Sequence, residues 1–369
     1  MDFGLTEEQS ELRDLVRTVM EREAPESYLR TLDEEHRYPY ELYQTWVELG
    51  LFSLPFPAEY GGLDGSVLDF VLVAEEIGRK GYDLTGVYGV PIFNALNVLH
   101  FGSDAQKQRF IPGLLNGSRR MSIAMTEPDA GSDAGAMRTT AVRDGDAFVL
   151  NGEKVFASGA GVDDTTITVY CRTDPDAPNA RALSCFLVDN DTPGLQINLI
   201  PTLGRHMLPT TQLVFTDVRV SADQLLGPLH GGWGVMLAGL QLERIVTSAA
   251  YVGNAQTVVD DALAYAKERQ QFKRRIGDFQ VIAHMLADMQ TAVDAARLLT
   301  YRAAWTLDRG DDALLEISMA KLFGSEAFLR IANDGMQIMG GYGYSMAVSM
   351  QRHLRAARGA TITAGTSQM

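Results

Sequence analysis

The chain has 369 residues, of which 46% are hydrophobic and 21% charged, and this size and composition exclude a small binding module and a disordered chain. The formal charge of −15 predicts a surface that repels phosphate backbones and anionic lipids, so we expect neither nucleic acid nor a membrane as partner. No apolar run is long enough to span a bilayer, and the first residues lack the basic and apolar regions of a secretory signal. We therefore expect a cytoplasmic protein.

The cysteine and histidine content argues against a metal centre. The two cysteines, Cys171 and Cys185, lie in apolar, strand-like segments and are predicted to be buried free thiols. The six histidines are scattered along the chain without the spacing of metal ligands. We expect no metal.

Residues 1–118 are predicted to form an N-terminal helical bundle. Thr6 and Gln9 have the spacing of a capping box, and apolar residues follow at helical intervals. Further helices are predicted at 40–51, 66–78, 84–101 and 105–115.

Residues 119–225 are predicted to form a middle antiparallel β-domain with a barrel-like shape. Asp144-Gly145 and Asn151-Gly152 are dipeptides typical of tight hairpin turns. The predicted strands are 139–143, 147–150, 165–172, 182–188, 195–200 and 212–220.

Residues 226–369 return to a helical pattern and are predicted to form a C-terminal four-helix bundle. The segments 234–270, 278–309 and 312–339 are rich in Ala, Leu and Met and poor in Pro. The chain as a whole is therefore predicted to be a multidomain α+β protein, with helical, β and helical domains in that order.

The first candidate catalytic residue is Glu243. Glu243 and Arg244 are the only charged residues between positions 234 and 259. The helical neighbours of Glu243 are apolar or small, namely Gly239, Leu240, Val246 and Thr247. A carboxylate on such a face loses hydration, which raises its pKa and suits a general base. The alternative is a structural ion pair with another helix.

Two glycine-rich segments are candidate ligand-contacting loops. Residues 124–135 combine small side chains, hydroxyls and free backbone, which allow close approach to a flat ring or a phosphate, although such clusters are also common in turns. Residues 337–344 follow a predicted helix and are typical of a helix C-cap. They do not form a GxGxxG fingerprint after a strand, so a Rossmann site is disfavoured.

Together these segments resemble the acyl-CoA dehydrogenase family over essentially the whole chain. The motifs that carry the resemblance occur in the family's order: Met125-Thr126-Glu127-Pro128 through Gly131-Ser132-Asp133, Asn151-Gly152-Glu153-Lys154 with 155–159, Glu268-Arg269-Gln270-Gln271-Phe272, Gln337 to Gly343, and Gly365-Thr366-Ser367-Gln368. The resemblance implies the acyl-CoA dehydrogenase fold. It also implies FAD held between the β-domain and the C-terminal bundle of a homotetramer, a dimer of dimers. Gln337 and Gly341 of one subunit would then contact the neighbour's FAD.

The resemblance also implies a set of cofactor and substrate contacts. Thr126 and Ser158 would bond the isoalloxazine, Ser132 and Arg269 the pyrophosphate, and Phe156 stands where a Trp is common beside the flavin. The full cofactor set that it implies is Met125, Thr126, Gly131, Ser132, Phe156, Ser158, Arg269, Gln271, Phe272, Gln337, Gly340, Gly341, Thr366 and Gln368. The substrate set is Ser132, Tyr88 and Arg244.

The family's commonest catalytic base is replaced in this chain. The Glu of the usual Tyr-Glu-Gly-Thr run is Ala364 here, in Thr363-Ala364-Gly365-Thr366. Members similar to isovaleryl-CoA dehydrogenase carry the base on the long helix instead, and Leu242-Glu243-Arg244 matches that context. The resemblance therefore implies Glu243 as the base and the backbone N–H of Ala364 as a donor to the thioester oxygen.

The predicted function is FAD-dependent α,β-dehydrogenation of an acyl thioester, with an electron-transferring flavoprotein as acceptor. The pocket is expected to take a short, branched or cyclic apolar acyl group on CoA or a carrier protein. One alternative is an enoyl-CoA reductase similar to crotonobetainyl-CoA reductase, which shares the displaced base. Another is a non-catalytic subunit of a heterotetramer. A DNA-associated relative is disfavoured by the negative charge.

Overall fold

The computed structural model describes residues 4–369, and Met1–Phe3, which belong to the segment considered above for a secretory signal, lie outside the described residues. Within the described part of the chain, no helix has the length and apolar character needed to cross a bilayer. No cluster of metal-ligating side chains occurs there either. Cys171 and Cys185 are buried and unpaired, as predicted.

The N-terminal region is helical, as the sequence predicted. Thr6 and Gln9 form the expected capping box, and Ser66 caps a later helix in the same way. A short helix follows Pro25 and was not predicted. Its sequence signal is weak, because its apolar residues are few and are partly interrupted by acids. The helices are α1 (Glu7–Glu23), α2 (Glu26–Glu35), α3 (Tyr40–Glu48), α4 (Val67–Gly78), α5 (Tyr82–Phe101) and α6 (Asp104–Leu115).

The middle region is one eight-stranded sheet in the order β6-β7-β3-β2-β4-β5-β8, with β1 also paired to β4. The pairing is antiparallel as predicted, except that β4 pairs in parallel with β1 and, at one residue pair, with β2. The strands are β1 (Arg120–Ala124), β2 (Thr140–Asp144), β3 (Ala147–Ser158), β4 (Thr165–Arg172), β5 (Leu183–Asp189), β6 (Leu195–Leu199), β7 (Thr210–Ser221) and β8 (Leu225–Leu226).

One of the two predicted hairpin turns is present. Strands β2 and β3 are joined at Gly145, which has φ 64°, as the Asp144-Gly145 dipeptide indicated. The prediction of a second hairpin at Asn151-Gly152 was wrong, because β3 continues through both residues with a register shift. Gly152 has φ 145°, and a side chain there would lie 2.6 Å from the Thr139 hydroxyl. This glycine therefore serves a β-bulge instead of a turn.

The C-terminal region is a helical bundle around one long helix. Its elements are α7 (Gly232–Glu268), β9 (Gln270–Gln271), β10 (Arg274–Arg275), α8 (Gln280–Asp308), α9 (Leu314–Met339), α10 (Gly341–Tyr344) and α11 (Met350–Ala360). The three predicted long helices are present with ends shifted by about two residues. Helices α7, α8, α9 and α11 share a single apolar core.

Helix α7 also packs against the N-terminal helices at two glycines. A Cβ atom at Gly253 would lie 2.0 Å from the Glu75 carbonyl of α4, and one at Gly89 of α5 would lie 2.6 Å from Val246. These contacts bring three backbones closer than any larger residue would permit. The packing fixes α5 beside the part of α7 that carries Glu243.

Candidate active site

The Glu243 carboxylate projects from α7 into a half-buried position where it has no partner. Within residues 4–369 it makes neither a hydrogen bond nor an ion pair, so the structural ion pair considered from the sequence is absent. Loss of hydration raises the pKa of Glu243, and the charges of Arg205, Arg244 and Lys321 offset part of that rise. An unpaired carboxyl group with a raised pKa is suited to accept a proton.

The three cations around Glu243 come from three different elements. Arg244 is on α7, Lys321 is on α9, and Arg205 lies in the loop between β6 and β7. Arg205 has a left-handed backbone at φ 68°, and its guanidinium lies 5.4 Å from the centre of the Tyr82 ring. Its Nε is buried without an acceptor. The space in front of Glu243 is therefore electropositive.

Sequence reasoning missed two of these cations for different reasons. Lys321 had a usable signal, because it is a lone charge on a helix face formed by Ile317, Gly324 and Ser325. Arg205 had none, since it belongs to an irregular loop whose path depends on the β-domain.

A sharp turn after α11 faces the same region. Ala364 and Gly365 both have left-handed backbones, at φ 53° and 92°. Arg244 Nε donates a 3.1 Å hydrogen bond to the Ala364 carbonyl, and Lys321 Nζ donates to the Gly365 carbonyl. The N–H groups of Ala364 and Gly365 have no acceptor within the described chain. Successive unpaired amides of this kind form a concave site for a negatively charged oxygen.

Helix α5 supplies an apolar wall. Between Tyr82 and Val98, only Gly86 and Val90 are partly exposed, and they lie one turn apart on one face. A Cβ atom at Gly86 would lie 2.7 Å from the Leu208 side chain and 3.3 Å from the Arg205 guanidinium. The wall thus meets the loop that carries Arg205.

Tyr88, which the resemblance suggested as a substrate contact, lies elsewhere. It is 0% exposed, and its ring packs among Trp46, Phe52 and Phe70. Its hydroxyl donates a 3.0 Å hydrogen bond to the Leu51 carbonyl. The structure therefore places Tyr88 in the N-terminal core and not on a surface that a substrate could contact.

The loop after β1 and the end of β3 form a second candidate surface. Val155 N–H donates to the Thr126 carbonyl at 2.8 Å, and the Ser122 hydroxyl donates to the Ser158 carbonyl at 2.7 Å. The buried Lys154 ammonium donates to the Met125 carbonyl at 3.1 Å and to Glu127 at 2.8 Å. These bonds hold the loop against the strand.

The ring of Phe156 stands out from this surface. It is 61% exposed and sits at a register shift of β3 with a left-handed backbone, φ 60°. An exposed aromatic residue in a sparsely populated conformation indicates a contact that the isolated chain does not satisfy. Gly131 and Ser132 are exposed in the neighbouring loop.

The C-terminal region contains an open cleft of about 590 Å³. Four of the predicted cofactor residues line it together: Arg269, Gln271, Gly340 and Gly341. A side chain at either glycine would meet nothing within 4 Å, so the backbone there is accessible. The cleft is within the size range of small-molecule sites.

Four other predicted cofactor residues lie outside the lining of this cleft. Gln337 is exposed at the end of α9, and Phe272 is 88% exposed in the β9–β10 turn, with its ring centre 6.2 Å from that of Phe279. Thr366 is half-buried and Gln368 exposed in the turn after α11, next to the amides of Ala364 and Gly365. The predicted cofactor residues thus occupy three separate surfaces of the chain.

Comparison with known proteins identifies the family. Residues 6–118, 122–218 and 230–369 match the N-terminal, middle and C-terminal domains of acyl-CoA dehydrogenases. The chain belongs to the acyl-CoA dehydrogenase family. Its fold and enzyme class are those that the sequence predicted, and it is a flavoprotein oxidoreductase acting on the CH–CH group of acyl-CoA.

Individual relatives match along nearly their whole length. A Bacillus subtilis protein named probable acyl-CoA dehydrogenase YngJ is 38% identical over all of this chain and 97% of its own. The caffeyl-CoA reductase-Etf complex subunit CarC of Acetobacterium woodii is 34% identical over 99% of this chain and 96% of its own. The solved butyryl-CoA dehydrogenase of Megasphaera elsdenii aligns with a TM-score of 0.95 at 31% identity, covering 100% of this chain and 97% of that one.

Proposed function

We propose that Glu243 is the catalytic base that removes the α-proton of an acyl-CoA thioester. The observation that carries this proposal is its unpaired carboxylate, which shares a region with the free amides of Ala364 and Gly365. Position 364, where most members of the family carry the glutamate base, is an alanine in this chain. Glu243 is therefore the acid available at this site. Burial, which raises the pKa of Glu243, brings it nearer to the pH at which a base works best.

The turn after α11 provides the second part of the chemistry. As the Cα–H bond breaks, the proton moves to the Glu243 carboxylate and negative charge develops on the thioester oxygen. The free N–H groups of Ala364 and Gly365 suit that oxygen, because main-chain donors are insensitive to the loss of the glutamate side chain. Arg205, Arg244 and Lys321 add a positive field that favours the same charge.

The residues present fit FAD. The exposed Phe156 ring offers a flat apolar face beside Thr126 and Ser158, which suits an isoalloxazine. The glycines and Arg269 of the C-terminal cleft suit close backbone approach and a pyrophosphate. When bound, FAD supplies the acceptor for the hydride that leaves the β-carbon.

We further propose that the cleft serves a neighbouring subunit. The Phe156 surface and the cleft are separate features of one chain. In a tetramer, the Phe156 surface of one subunit would contact its own FAD, while Gln337 and Gly341 of the neighbouring subunit would contact the same FAD from the other side. Exposed apolar side chains on α8 and α9 support a subunit contact there, namely Leu298, Trp305, Leu315 and Leu322. Light scattering of the purified protein, alone and at several concentrations, measures the oligomeric state.

The deciding experiment is anaerobic. The purified yellow protein is mixed with a panel of CoA and carrier-protein thioesters bearing short linear, branched and cyclic acyl groups, which suit the apolar wall of Gly86 and Val90. Bleaching of the flavin by a saturated thioester supports the dehydrogenase. Bleaching by none of the panel, with FAD fully bound, contradicts it.

Reduction of an enoyl-CoA is the second candidate. The name of the Acetobacterium woodii relative favours it, since that protein is a caffeyl-CoA reductase subunit in a complex with Etf. The same name supports an electron-transferring flavoprotein as the redox partner. Reoxidation of the dithionite-reduced protein by enoyl-CoA, compared with reduction by acyl-CoA, decides the preferred direction. A non-catalytic subunit would bind little FAD or respond to neither substrate.

A further inference from the structure

A half-buried arginine and a buried lysine hold two successive carbonyl groups of the turn after α11. Arg244 Nε binds the Ala364 carbonyl at 3.1 Å, and Lys321 Nζ binds the Gly365 carbonyl. Arg244 therefore holds the peptide group that contains the Gly365 N–H, and Lys321 holds the next peptide group, which contains the Thr366 N–H. Together the two bonds fix the backbone on both sides of the Gly365 Cα atom and so restrain the turn that carries the free amides.

The turn needs such restraint because of its backbone. Ala364 has φ 53°, a conformation that an L-residue with a side chain adopts only at a cost of about 1 kcal/mol. Tyr82 contributes on the other side, with its hydroxyl 3.2 Å from that of Thr363. Arg244 holds the peptide group before the Gly365 Cα atom and Lys321 the one after it, so the conformation of this glycine depends on both side chains.

Lys321 is unusual as a structural lysine. It is 5% exposed, and the Gly365 carbonyl is its sole hydrogen-bond partner within the described chain. An ammonium group has three N–H donors, and only one of them has an acceptor in the described part of the chain, so burying this charge costs free energy. A lysine in such a position indicates a role for its charge. The charged groups facing it are Glu243 and Arg244 of α7 and Glu326 of its own helix.

We infer that Lys321 is a positioning residue for the proposed reaction: in its protonated form it holds the Gly365–Thr366 peptide group and so keeps the turn in the conformation that presents the Ala364 and Gly365 amides to the thioester oxygen. The inference rests on the proposed function. No proton leaves Lys321 during the step, because the α-proton moves to Glu243 and the oxygen receives hydrogen bonds only from the main chain. Burial and the charge of Arg244 lower the pKa of Lys321 to about 8, so alkaline solution removes the restraint.

Binding of two CoA thio compounds tests this directly. Acetyl-CoA has a thioester oxygen but no β-carbon, so it binds without being dehydrogenated, and S-ethyl-CoA is the same size without that oxygen. Calorimetric Kd values for both ligands therefore measure the contribution of the amides. We expect the wild-type holoenzyme to prefer acetyl-CoA about tenfold, the effect of one well-oriented hydrogen bond.

Three variants separate positioning from a general structural effect. Lys321→Met retains the stem and loses the charge, so the preference for acetyl-CoA should fall to about twofold or less. Lys321→Arg retains a donor and a charge and should keep most of it. Lys107→Met removes a cation from α6, far along the chain, and should behave as wild type. In wild type the preference should also decrease as pH rises from 7 to 9, a dependence that Lys321→Met should lack.

The outcomes are distinguishable. Lys321→Met that folds, binds FAD and keeps the acetyl-CoA preference overturns the inference alone. If that variant does not fold, a wild-type preference that is constant from pH 7 to 9 overturns it. A wild-type protein that shows no preference at pH 7 and no bleaching by the thioester panel overturns the proposed function as well.

Discussion

Arg244 Nε donates a 3.1 Å hydrogen bond to the carbonyl oxygen of Ala364. The residue next to the proposed base on α7 therefore holds the residue that stands at the family's usual base position. Both positions from which a family member can deprotonate its substrate thus belong to one connected structure here, and only one of them carries an acid.

Replacement of Glu243 by Gln should remove the base and leave the rest of the site intact. Because a positioned general base contributes about 10²- to 10⁴-fold, the rate of flavin bleaching by acyl-CoA should fall by that amount. The FAD content and the Kd for acetyl-CoA should change little, since neither depends on the carboxylate charge alone. Stopped-flow absorbance measures the rate, and Glu59→Gln, on an exposed turn, is the charge-matched control. A Glu243→Gln enzyme that keeps most of its rate would remove Glu243 from the mechanism.

A glutamate returned to position 364 should take over the role of base. Ala364 already has a left-handed backbone, so a larger side chain adds little further strain there. We expect the double variant Glu243→Gln with Ala364→Glu to bleach at least about tenfold faster than Glu243→Gln alone, since a base is again present. The same stopped-flow assay compares the two. Equal rates for both variants, with FAD bound, would mean that position 364 does not face the α-carbon.

Loss of Arg205 should shift the pH dependence of the reaction. Arg205 is the cation with the largest effect in lowering the pKa of Glu243, and the base acts in its ionised form. Arg205→Met should therefore raise the pKa of Glu243 and move the acidic limb of the pH–rate profile to higher pH. Arg205→Lys retains the charge and should leave the limb near its original position. Rates of flavin reduction at saturating substrate from pH 5 to 9 give both profiles, and an unmoved limb in Arg205→Met contradicts the coupling.

The sequence predicted the parts of this fold that depend on local periodicity. Strand β4, at Thr165–Arg172, was predicted with its observed bounds because its β-branched residues are bordered by turns. Helix α2 and the parallel pairing of β1 with β4 were missed, since both depend on contacts between distant segments. Asn151-Gly152 was misassigned because a glycine with positive φ serves a bulge as well as a hairpin.

The residues of the candidate site were predictable only where a charged side chain lies on an otherwise apolar helix face. Glu243 could be identified because a carboxylate on an apolar helix face is unexpected. Lys321 gave the same kind of signal on its own helix and was missed, whereas Arg205 gave none, because it lies in an irregular loop of another domain. The predicted role of Tyr88 followed from its helix alone, whereas the direction of its side chain depends on how α5 packs against Trp46 and Phe70.

Asp33 links all three regions of the chain, and its loss should destabilise them together. It is buried on α2, and its carboxylate binds Arg355 of α11 at 2.5 Å and His206 of the β6–β7 loop at 3.1 Å. Asp33→Asn leaves Arg355, itself largely buried, without its counter-charge. Removing one partner of such a pair should lower the free energy of unfolding by about 3 kcal/mol.

Urea unfolding measures this free energy. The control is Asp14→Asn, whose ion pairs are exposed and whose free energy of unfolding should change by less than about 1 kcal/mol. Equal stabilities for the two variants would contradict a structural role for Asp33.

His353 should make the protein less stable in mild acid. It is buried on α11 with its Nδ1 2.7 Å from the Asn254 side-chain oxygen, and burial lowers its pKa to about 3. In the unfolded chain a histidine has a pKa of about 6.5, so between these values the unfolded state binds the extra proton. Stability contributed by this residue is therefore complete above about pH 6.5 and falls as pH decreases toward 3. From pH 7 to 5 the free energy of unfolding falls by about 2 kcal/mol through this residue.

His353→Gln, which cannot be protonated, tests this prediction. Between pH 7 and 5 its free energy of unfolding, measured with urea, should fall by about 2 kcal/mol less than that of the wild type, whatever other groups titrate. Identical losses in the two proteins would show that His353 is protonated equally in the folded and unfolded states.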